Sequence, residues 1–204
     1  MRLYHGSSIN IKDEYLSPHK PFKTYDYKSS IYFSDKIEIA LLYSINPIRN
    51  YIKLNNKEEK TNAFSSYFKY DRENNITILY ECYKGMLNEV YNNPSYIYVL
   101  DIDDTIANTH KEGDHSYNFS KPQKYIEKIF IPNVLDELLK LEKENKIKII
   151  RFEDMSFNVK NKLYDRISER ADSCEHQCEI DFFKEKFKNV QTIQNYLRLK
   201  NDDD

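Results

Sequence analysis

Two stretches near the start of the chain constrain its fold most strongly. Residues 2–8, RLYHGSS, predict a short apolar strand that breaks into a His-Gly-Ser turn. Residues 30–35, SIYFSD, predict a second strand that runs into a helix. A strand ending in His-Gly-Ser places an imidazole and backbone N–H groups at the mouth of a pocket, and Gly6 has no Cβ to keep a ligand away from the backbone. An aromatic ring on the second strand offers a stacking surface for a flat ligand.

Together the two stretches resemble the ADP-ribosyltransferase superfamily, especially its poly(ADP-ribose)-polymerase-like branch. The positions that match the family motifs are His5, Gly6, Ser7, Tyr32, Phe33, Ser34, Ala40 and Tyr43. The resemblance implies that NAD is bound as a substrate by all of these residues except Ala40. In that superfamily the His and the Ser hold the ribose and the nicotinamide amide, and the two tyrosines sandwich the nicotinamide ring. The alternative is that residues 4–7 form only a strand and a turn, with Tyr32 and Tyr43 as core aromatics.

The whole chain also resembles a group of bacterial and phage-type proteins with no known activity. They share the Tyr-His-Gly-Ser-Ser opening, a mid-chain strand matching Tyr96-Ile97-Tyr98, and a later strand matching residues 147–153. This likeness favours one continuous domain over residues 1–200. The acidic tail, residues 201–204, is expected to be disordered.

The predicted fold class is α+β, a single domain with a split, mostly antiparallel sheet of ADP-ribosyltransferase type and C-terminal helices. The strands expected in the sheet are residues 1–5, 30–33, 76–82, 96–101, 125–131 and 147–152. Residues 67–70 and 76–82 flank a turn-rich spacer and predict a hairpin. The predicted loops are residues 10–28, which would fold over the pocket, the charged residues 53–60, and residues 103–124.

Helix signals surround these strands. Ser34 is predicted to cap the first helix and Pro47 to end it. Pro132 is predicted to lie in the first turn of a helix whose apolar face includes Val134 and Leu138. From Ser156 onward the apolar spacing predicts two helices.

Composition excludes several classes of protein. The formal net charge is −2, so no global basic field attracts nucleic acid. Three cysteines do not make a disulfide framework and fit a reducing compartment. No apolar run approaches the roughly 18–20 residues of a membrane span, and no signal peptide is recognised. The expectation is therefore a cytoplasmic protein with no membrane partner.

The carboxylate is the part of the family pattern that this chain does not match. The superfamily usually has a Glu on a late strand that binds the nicotinamide ribose and stabilises positive charge at C1′. By position it should fall within residues 114–124, where the chain has none. The candidates to replace it are Glu81, Glu112, Asp114 and Glu127, and Glu81 joins His5, Tyr32 and Tyr43 in the predicted catalytic set. Loss of this Glu leaves a second hypothesis, a non-catalytic nucleotide- or protein-binding module on the same fold.

A third hypothesis rests on residues 99–105, VLDIDDT, which resemble the first motif of haloacid-dehalogenase-type phosphatases. In that family the first Asp, here Asp101, is the nucleophile, the second, here Asp103, is the general acid, and Mg²⁺ neutralises the carboxylate and the phosphate. The alternative is a turn that caps a central strand.

The residues Cys174, His176 and Cys178 raise the question of a zinc site, but their spacing is tighter than in structural zinc sites and no second ligand pair exists, so no metal is predicted. The predicted function is transfer of ADP-ribose from NAD to a protein, nucleic-acid or small-molecule acceptor that the sequence does not identify.

Overall fold

A computed structural model describes residues 1–18, 29–55, 67–172, 174 and 177–199. The chain is mixed α and β, and it divides into two compact units. The first unit comprises Met1–Ile45 and Tyr91–Leu141, and the second comprises Asn46–Val90 and Glu142–Asp204. A single domain over residues 1–200 stays a prediction. The tail, residues 201–204, lies outside the described residues.

The first unit is built mainly from antiparallel strands. Its elements are β1 (Arg2–Ser7), β2 (Tyr15–Leu16), β3 (Ile31–Phe33), α1 (Ile37–Ser44), β6 (Ser95–Asp101), α3 (Asp104–Thr109), β7 (Tyr117–Phe119), β8 (Gln123–Lys124), β9 (Glu127–Ile131) and most of α4 (Val134–Lys143). Strand β6 lies between β1 and β9 and is antiparallel to both. Its apolar run Tyr96–Leu100 was predicted to be a central strand, and this prediction is confirmed.

Strand β3 joins this sheet by a narrow junction. It pairs along its length with β7, whereas its link to β1 is a single bridge between Tyr4 and Ser34. The two main-chain hydrogen bonds of the bridge measure 2.7 and 2.9 Å. Among the described residues, the main chains of strands β1 and β3 are therefore joined at one point only, the bridge between Tyr4 and Ser34. The short strands β2 and β8 pair with each other separately.

The second unit has a separate three-stranded sheet, which contains the only parallel strand pair among the described residues. Its elements are α2 (Pro47–Leu54), β4 (Phe68–Asp71), β5 (Ile76–Tyr80), β10 (Ile147–Ile150), α5 (Phe157–Asp172), α6 (Gln177–Lys186) and α7 (Gln191–Leu199). Strand β5 is antiparallel to β4 and parallel to β10. The predicted hairpin is confirmed as β4 and β5. A π-helical turn, Leu87–Tyr91, and a 3₁₀ turn, Phe152–Asp154, complete the helical segments.

Several predicted boundaries are wrong for identifiable reasons. Ser34 is not the N-cap of α1, because Lys36 holds that position, although the Ser34 hydroxyl accepts a hydrogen bond from the Lys36 N–H at 3.1 Å. Helix α1 does end before Pro47, at Ser44, but Pro47 also begins a second helix, α2, where its missing N–H costs nothing. The Asn46 side chain caps α2 by accepting from the N–H groups of Ile48 and Arg49.

Pro132 likewise lies before its helix. Asn133 Oδ1 accepts from the Leu135 N–H at 2.9 Å at the start of α4, so the proline precedes the capping residue. The apolar face of α4 is confirmed, since Val134, Leu138 and Leu141 are buried. The segment predicted as two C-terminal helices forms three, α5 to α7.

The predicted loops differ in outcome. Residues 103–124 fold into α3, β7 and β8 rather than a loop. Of the charged segment 53–60, residues 53 and 54 end α2 and residues 56–60 lie outside the described part of the chain, as do residues 19–28 of the predicted pocket loop. The α+β class and the mostly antiparallel pairing are confirmed. Within the described ranges, no helix has the length and apolar character to cross a membrane.

Candidate functional site

Strand β1 has two chemically different faces, because successive side chains of a strand point to opposite sides of its sheet. Tyr4 and Gly6 point to one side, while His5 and Ser7 point to the other. The register with β6 places Gly6 opposite Ile97 and His5 opposite Tyr98. The predicted NAD-binding residues of β1 are therefore divided between both faces of the sheet.

Gly6 is required by the packing of a helix. A Cβ atom built on Gly6 would lie 1.9 Å from the carbonyl oxygen of Ala40 and 2.9 Å from the Cβ of Ser44, both in α1. No side chain fits at that distance from a backbone atom. The close approach that Gly6 permits is thus the approach of α1 to β1, and the small residue Ala40 completes the contact.

The His5 ring is held by a hydrogen bond to the neighbouring strand. Its Nδ1 lies 2.8 Å from the carbonyl oxygen of Tyr32. A carbonyl can only accept, so Nδ1 carries the hydrogen, and in the neutral ring Nε2 is the acceptor nitrogen. The ring also packs with Phe33 and Tyr98, at centroid distances of 5.7 and 6.3 Å. Its orientation and its tautomer are therefore both fixed.

Tyr32 and Tyr43 are surface residues. Tyr32 exposes 45% of its area between the buried Ile31 and Phe33, and Tyr43 exposes 51% in the last turn of α1. The alternative that both are core aromatics is wrong. Because Tyr4 and Ser34 are bridge partners, alternation along β1 and β3 puts Tyr32 on the same side of the sheet as Gly6. This is the side that α1 covers.

The other residues of the predicted set make local contacts. Ser7 Oγ accepts from the Ile9 N–H at 3.1 Å and closes the turn after β1. The main chain of Ser34 pairs with Tyr4. Phe33 is buried, and its ring meets Phe119 edge-on at 5.4 Å. Phe33 is thus a core residue under the site, on the side opposite to Tyr32.

The four candidate carboxylates are in different surroundings. Glu81 belongs to the second unit, where its two oxygens accept from the N–H groups of Gly85, at 2.9 Å, and Phe152, at 3.0 Å. This carboxylate joins the turn after β5 to the end of β10, so its contacts are structural. In the first unit Asp114 is exposed, and Glu127 lies 4.0 Å from Arg2 at the surface.

Glu112 is the candidate that bonds to the residue opposite Tyr32. Strand β7 pairs with β3 so that Asn118 lies directly opposite Tyr32, and paired residues project to the same side of a sheet. Asn118 Nδ2 donates to Glu112 Oε1 at 2.8 Å. Because a carboxylate only accepts, this bond fixes which end of the amide faces Glu112. Asn118 is not among the predicted site residues, and its signal in the sequence is the alternation Tyr117-Asn118-Phe119.

The amide oxygen of Asn118 is buried, and among the described residues it has no hydrogen-bond partner. A buried acceptor without a partner costs about 1–3 kcal/mol. This oxygen lies on the strand next to Tyr32, within the interval 114–124 where the family carboxylate was expected. A ligand hydroxyl is the kind of group that would satisfy it.

A second cluster holds β7 to the start of α1. His115 Nδ1 lies 2.7 Å from Asp35 Oδ1, and the Tyr117 hydroxyl donates to Asp35 Oδ2 at 3.2 Å. Desolvation, with a smaller effect of the Asp35 charge, raises the pKa of Tyr117 to about 12. These bonds hold strand β7, which carries Asn118, beside Asp35, and the segment was predicted to be a loop.

The acidic motif of the phosphatase hypothesis is engaged in structural contacts. Asp101 ends β6, which is antiparallel to both neighbours, whereas that hypothesis expects a parallel sheet. Asp103 caps α3 by accepting from the Thr105 N–H at 2.8 Å, and this bond lowers its pKa. Asp104 lies 2.8 Å from the Met1 ammonium. The arrangement matches the alternative of a turn that caps a central strand.

Of the three residues considered for a zinc site, the structure describes two, Cys174 and Cys178. Cys174 and Cys178 are buried thiols, while His176 lies outside the described residues. Within the described ranges, no group of three or more His, Cys, Asp or Glu side chains is placed to hold a metal ion.

Comparison with known proteins adds no assignment to this geometry. No protein-family model matches the chain, and no similar protein is found among curated sequences or solved structures.

Proposed function

We propose that the first unit binds NAD, with the nicotinamide ring between Tyr32 and Tyr43, and transfers its ADP-ribose to an acceptor. The observation that carries the proposal is the hydrogen bond of 2.8 Å between His5 and the Tyr32 carbonyl, beside a strongly exposed Tyr32. This bond links the two motifs that resemble the ADP-ribosyltransferase superfamily. Tyr43 is displayed on α1, which covers the same side of the sheet as Tyr32.

Each residue has a role that its contacts support. The Nε2 atom of a neutral His5 is an acceptor and suits a ribose hydroxyl. Tyr32 and Tyr43 supply two rings for a planar cation such as the nicotinamide of NAD. The buried oxygen of Asn118 is a further acceptor for a ribose hydroxyl, and binding would remove the cost of its missing hydrogen bond.

The reaction breaks one bond and forms one bond. The C1′–N bond of the nicotinamide riboside breaks, its electron pair leaves with neutral nicotinamide, and a nucleophilic oxygen or nitrogen of the acceptor bonds to C1′. The proton of that nucleophile passes to solvent or to a carboxylate. Positive charge develops at C1′ and the ring oxygen, so a nearby negative charge lowers the barrier. Glu112, one hydrogen bond behind Asn118, is the carboxylate proposed for this role.

The second candidate is a binding module without turnover. One observation favours it, namely that the residue opposite Tyr32 is the neutral Asn118 and not a carboxylate. An amide oxygen orients a hydroxyl but carries no full charge to stabilise an oxocarbenium ion. The phosphatase hypothesis has no comparable support, because Asp103 caps a helix.

Calorimetric titration with NAD and with ADP-ribose tests binding. Tyr32→Ala and Tyr43→Ala should each weaken NAD binding by about 1 kcal/mol or more, the usual contribution of one stacking ring. Tyr15→Ala is the matched control, since Tyr15 is also about half exposed in the first unit. Equal NAD affinities for all three variants and the wild type would reject the site.

Release of nicotinamide, with water as the acceptor, separates the enzyme from the binding module. Turnover that falls in Glu112→Gln while NAD affinity is kept supports transfer chemistry. Tight NAD binding with no release of nicotinamide supports the module instead.

A further inference from the structure

The side of the sheet that carries His5 and Ser7 also carries a row of aromatic rings. Along the sheet, Ser7 pairs with Tyr96, which pairs with Phe130. The next row is His5, Tyr98 and Lys128. Paired residues project to the same side, so these six side chains share one side of the sheet, here called the aromatic face. Tyr98 is fully buried within it, and its hydroxyl is hydrogen-bonded to the main chain of Ile9 and Ile11. The proposed function assigns a role to only one residue of this face, His5.

The rings of the aromatic face are packed against one another while the outermost one stays open to solvent. Tyr96 and Phe130 lie 5.3 Å apart between ring centroids, and Tyr96 and Tyr98 lie 6.5 Å apart. Phe130 nevertheless exposes 55% of its area. A rigidly backed and exposed phenyl ring is a stacking surface for another planar ring, and it loses little conformational freedom when one binds.

A positive charge lies beside these rings. The Lys128 ammonium donates to Asn10 Oδ1 at 3.1 Å and to the Ile11 carbonyl at 3.2 Å. Both acceptors are neutral, so they position the charge without neutralising it. The aromatic face therefore combines a flat apolar surface with a cation in the row next to it, which suits an aromatic base attached to phosphate groups.

The junction of β1 with β3 connects this face to the proposed nicotinamide site. Among the described residues, the main chains of β1 and β3 pair at a single bridge, between Tyr4 and Ser34. The next residue of β1, His5, contacts the Tyr32 carbonyl through its side chain. A ligand that passes the end of β1 at Ser7 can contact both sides of the sheet. Phe130 lies two strands from Ser7, about 10 Å at the usual strand spacing.

We propose that the aromatic face binds the adenine ring of the dinucleotide, with Phe130 and Tyr96 as the stacking platform and Lys128 beside the phosphates. This inference rests on the proposed function, because it assigns the second ring of the same ligand. It also makes the adenine half, and not only the nicotinamide half, a determinant of specificity.

Three ligands and one substitution test the assignment by calorimetric titration. Phe130→Ala should weaken NAD and ADP-ribose binding by about tenfold, the scale of one stacked base. It should leave nicotinamide mononucleotide, which has no adenine, unaffected. Ile126→Ala is the control, because Ile126 is as exposed as Phe130 in the same unit but lies outside β9. Phe130→Tyr keeps a ring and should keep the affinity.

Each other result overturns one proposal or both. If Phe130→Ala leaves NAD affinity unchanged, or weakens the mononucleotide equally, the adenine assignment fails while NAD binding stands. If sedimentation shows a dimer that Phe130→Ala dissociates with no change in NAD affinity, the face binds a second copy of the chain. If ADP-ribose binds through Phe130 but NAD does not bind, the proposed function fails and the adenine site stands. If no nucleotide binds, both fail.

Discussion

Aromatic side chains are used differently in the two units of the chain. In the second unit Phe182, Phe183 and Phe187 are fully buried, and the rings of Phe182 and Phe183 meet edge-on at 5.2 Å. Among the described residues of the first unit, four rings expose roughly half of their area, and these are Tyr15, Tyr32, Tyr43 and Phe130, while those of the second unit include one strongly exposed ring, Phe157. Buried rings stabilise a fold, whereas exposed rings gain little from burial until a ligand or partner covers them. The contrast directs the search for function to the first unit.

Polar and charged side chains are also used differently near the candidate site, although the first unit has ion pairs of its own, such as Asp104 with the Met1 ammonium. Several ion pairs of the second unit hold its elements together, including Arg151 with Glu142 and the largely buried Arg170 with Glu179. In the first unit His5 and Asn118 are instead positioned by hydrogen bonds beside exposed tyrosines. A buried ionisable group is thus not by itself a sign of a site, and Glu81, whose oxygens accept from the Gly85 and Phe152 N–H groups, is an example.

Removing one ring from the second unit should have the largest effect on stability. Phe182 is fully buried against Phe183 and, at 5.5 Å, Tyr51. Phe182→Ala should therefore lower the free energy of unfolding by about 3–5 kcal/mol, measured by urea denaturation. Phe157→Ala, at a ring that is 76% exposed, should change it by only about 0.5 kcal/mol. Similar losses for both variants would contradict the contrast between buried and exposed rings.

The first unit is not loosely packed everywhere, because β1 and α1 are in close contact at Gly6. Gly6→Ala should destabilise the protein by about 1–3 kcal/mol or more, since the added Cβ meets the Ala40 backbone. Gly113→Ala is the control, because its Cβ would approach nothing closer than 3.7 Å. A Gly6→Ala protein as stable as the control would show that α1 moves away from β1 at little cost.

Lowering the pH should remove the stabilisation that the ion pair of Glu142 with Arg151 gives the second unit. The Arg151 guanidinium, aided by the Ile149 N–H, holds the pKa of Glu142 below its usual value of 4.5. The stabilisation is therefore present above pH 4.5 and is lost as the pH falls through the lower, folded-state pKa. Because both side chains are partly exposed, the loss should be below about 1 kcal/mol. Urea midpoints from pH 6 to pH 3 should fall less steeply in Glu142→Gln than in the wild type, and parallel curves would exclude this role.

Local signals in the sequence predicted part of the fold. The apolar run of β6 and the hairpin of β4 and β5 were evident, because a buried strand and a turn-rich spacer depend on neighbouring residues. Pro47 was predicted only to end α1, because a proline suits both the region after a helix and the first position of the next one. Here it occupies both places, since α1 ends at Ser44 and the Asn46 side chain caps α2.

The candidate site was harder to predict because its contacts join residues that are far apart in sequence. Strand β7 has three residues with polar neighbours, and only its pairing with β3 brings Asn118 opposite Tyr32. The motif residues His5, Tyr32 and Tyr43 were found by resemblance, but the division of β1 between two faces depends on register. No local pattern around Phe130 indicates that it shares a face with Ser7, two strands away.

The smallest change in stability is expected at Tyr43, whose neighbour in α1, Leu42, differs from it most in burial. Tyr43 exposes half of its area, whereas Leu42 is fully buried. Tyr43→Ala should change the free energy of unfolding by about 0.5 kcal/mol or less, because most of the removed surface is already in contact with water. Leu42→Ala should cost about 2–5 kcal/mol, because it leaves a cavity in the core. Urea denaturation of the two variants makes the comparison directly. If Tyr43→Ala were as destabilised as Leu42→Ala, Tyr43 would be a packing residue, and its weaker NAD binding would report unfolding rather than the loss of a stacking ring.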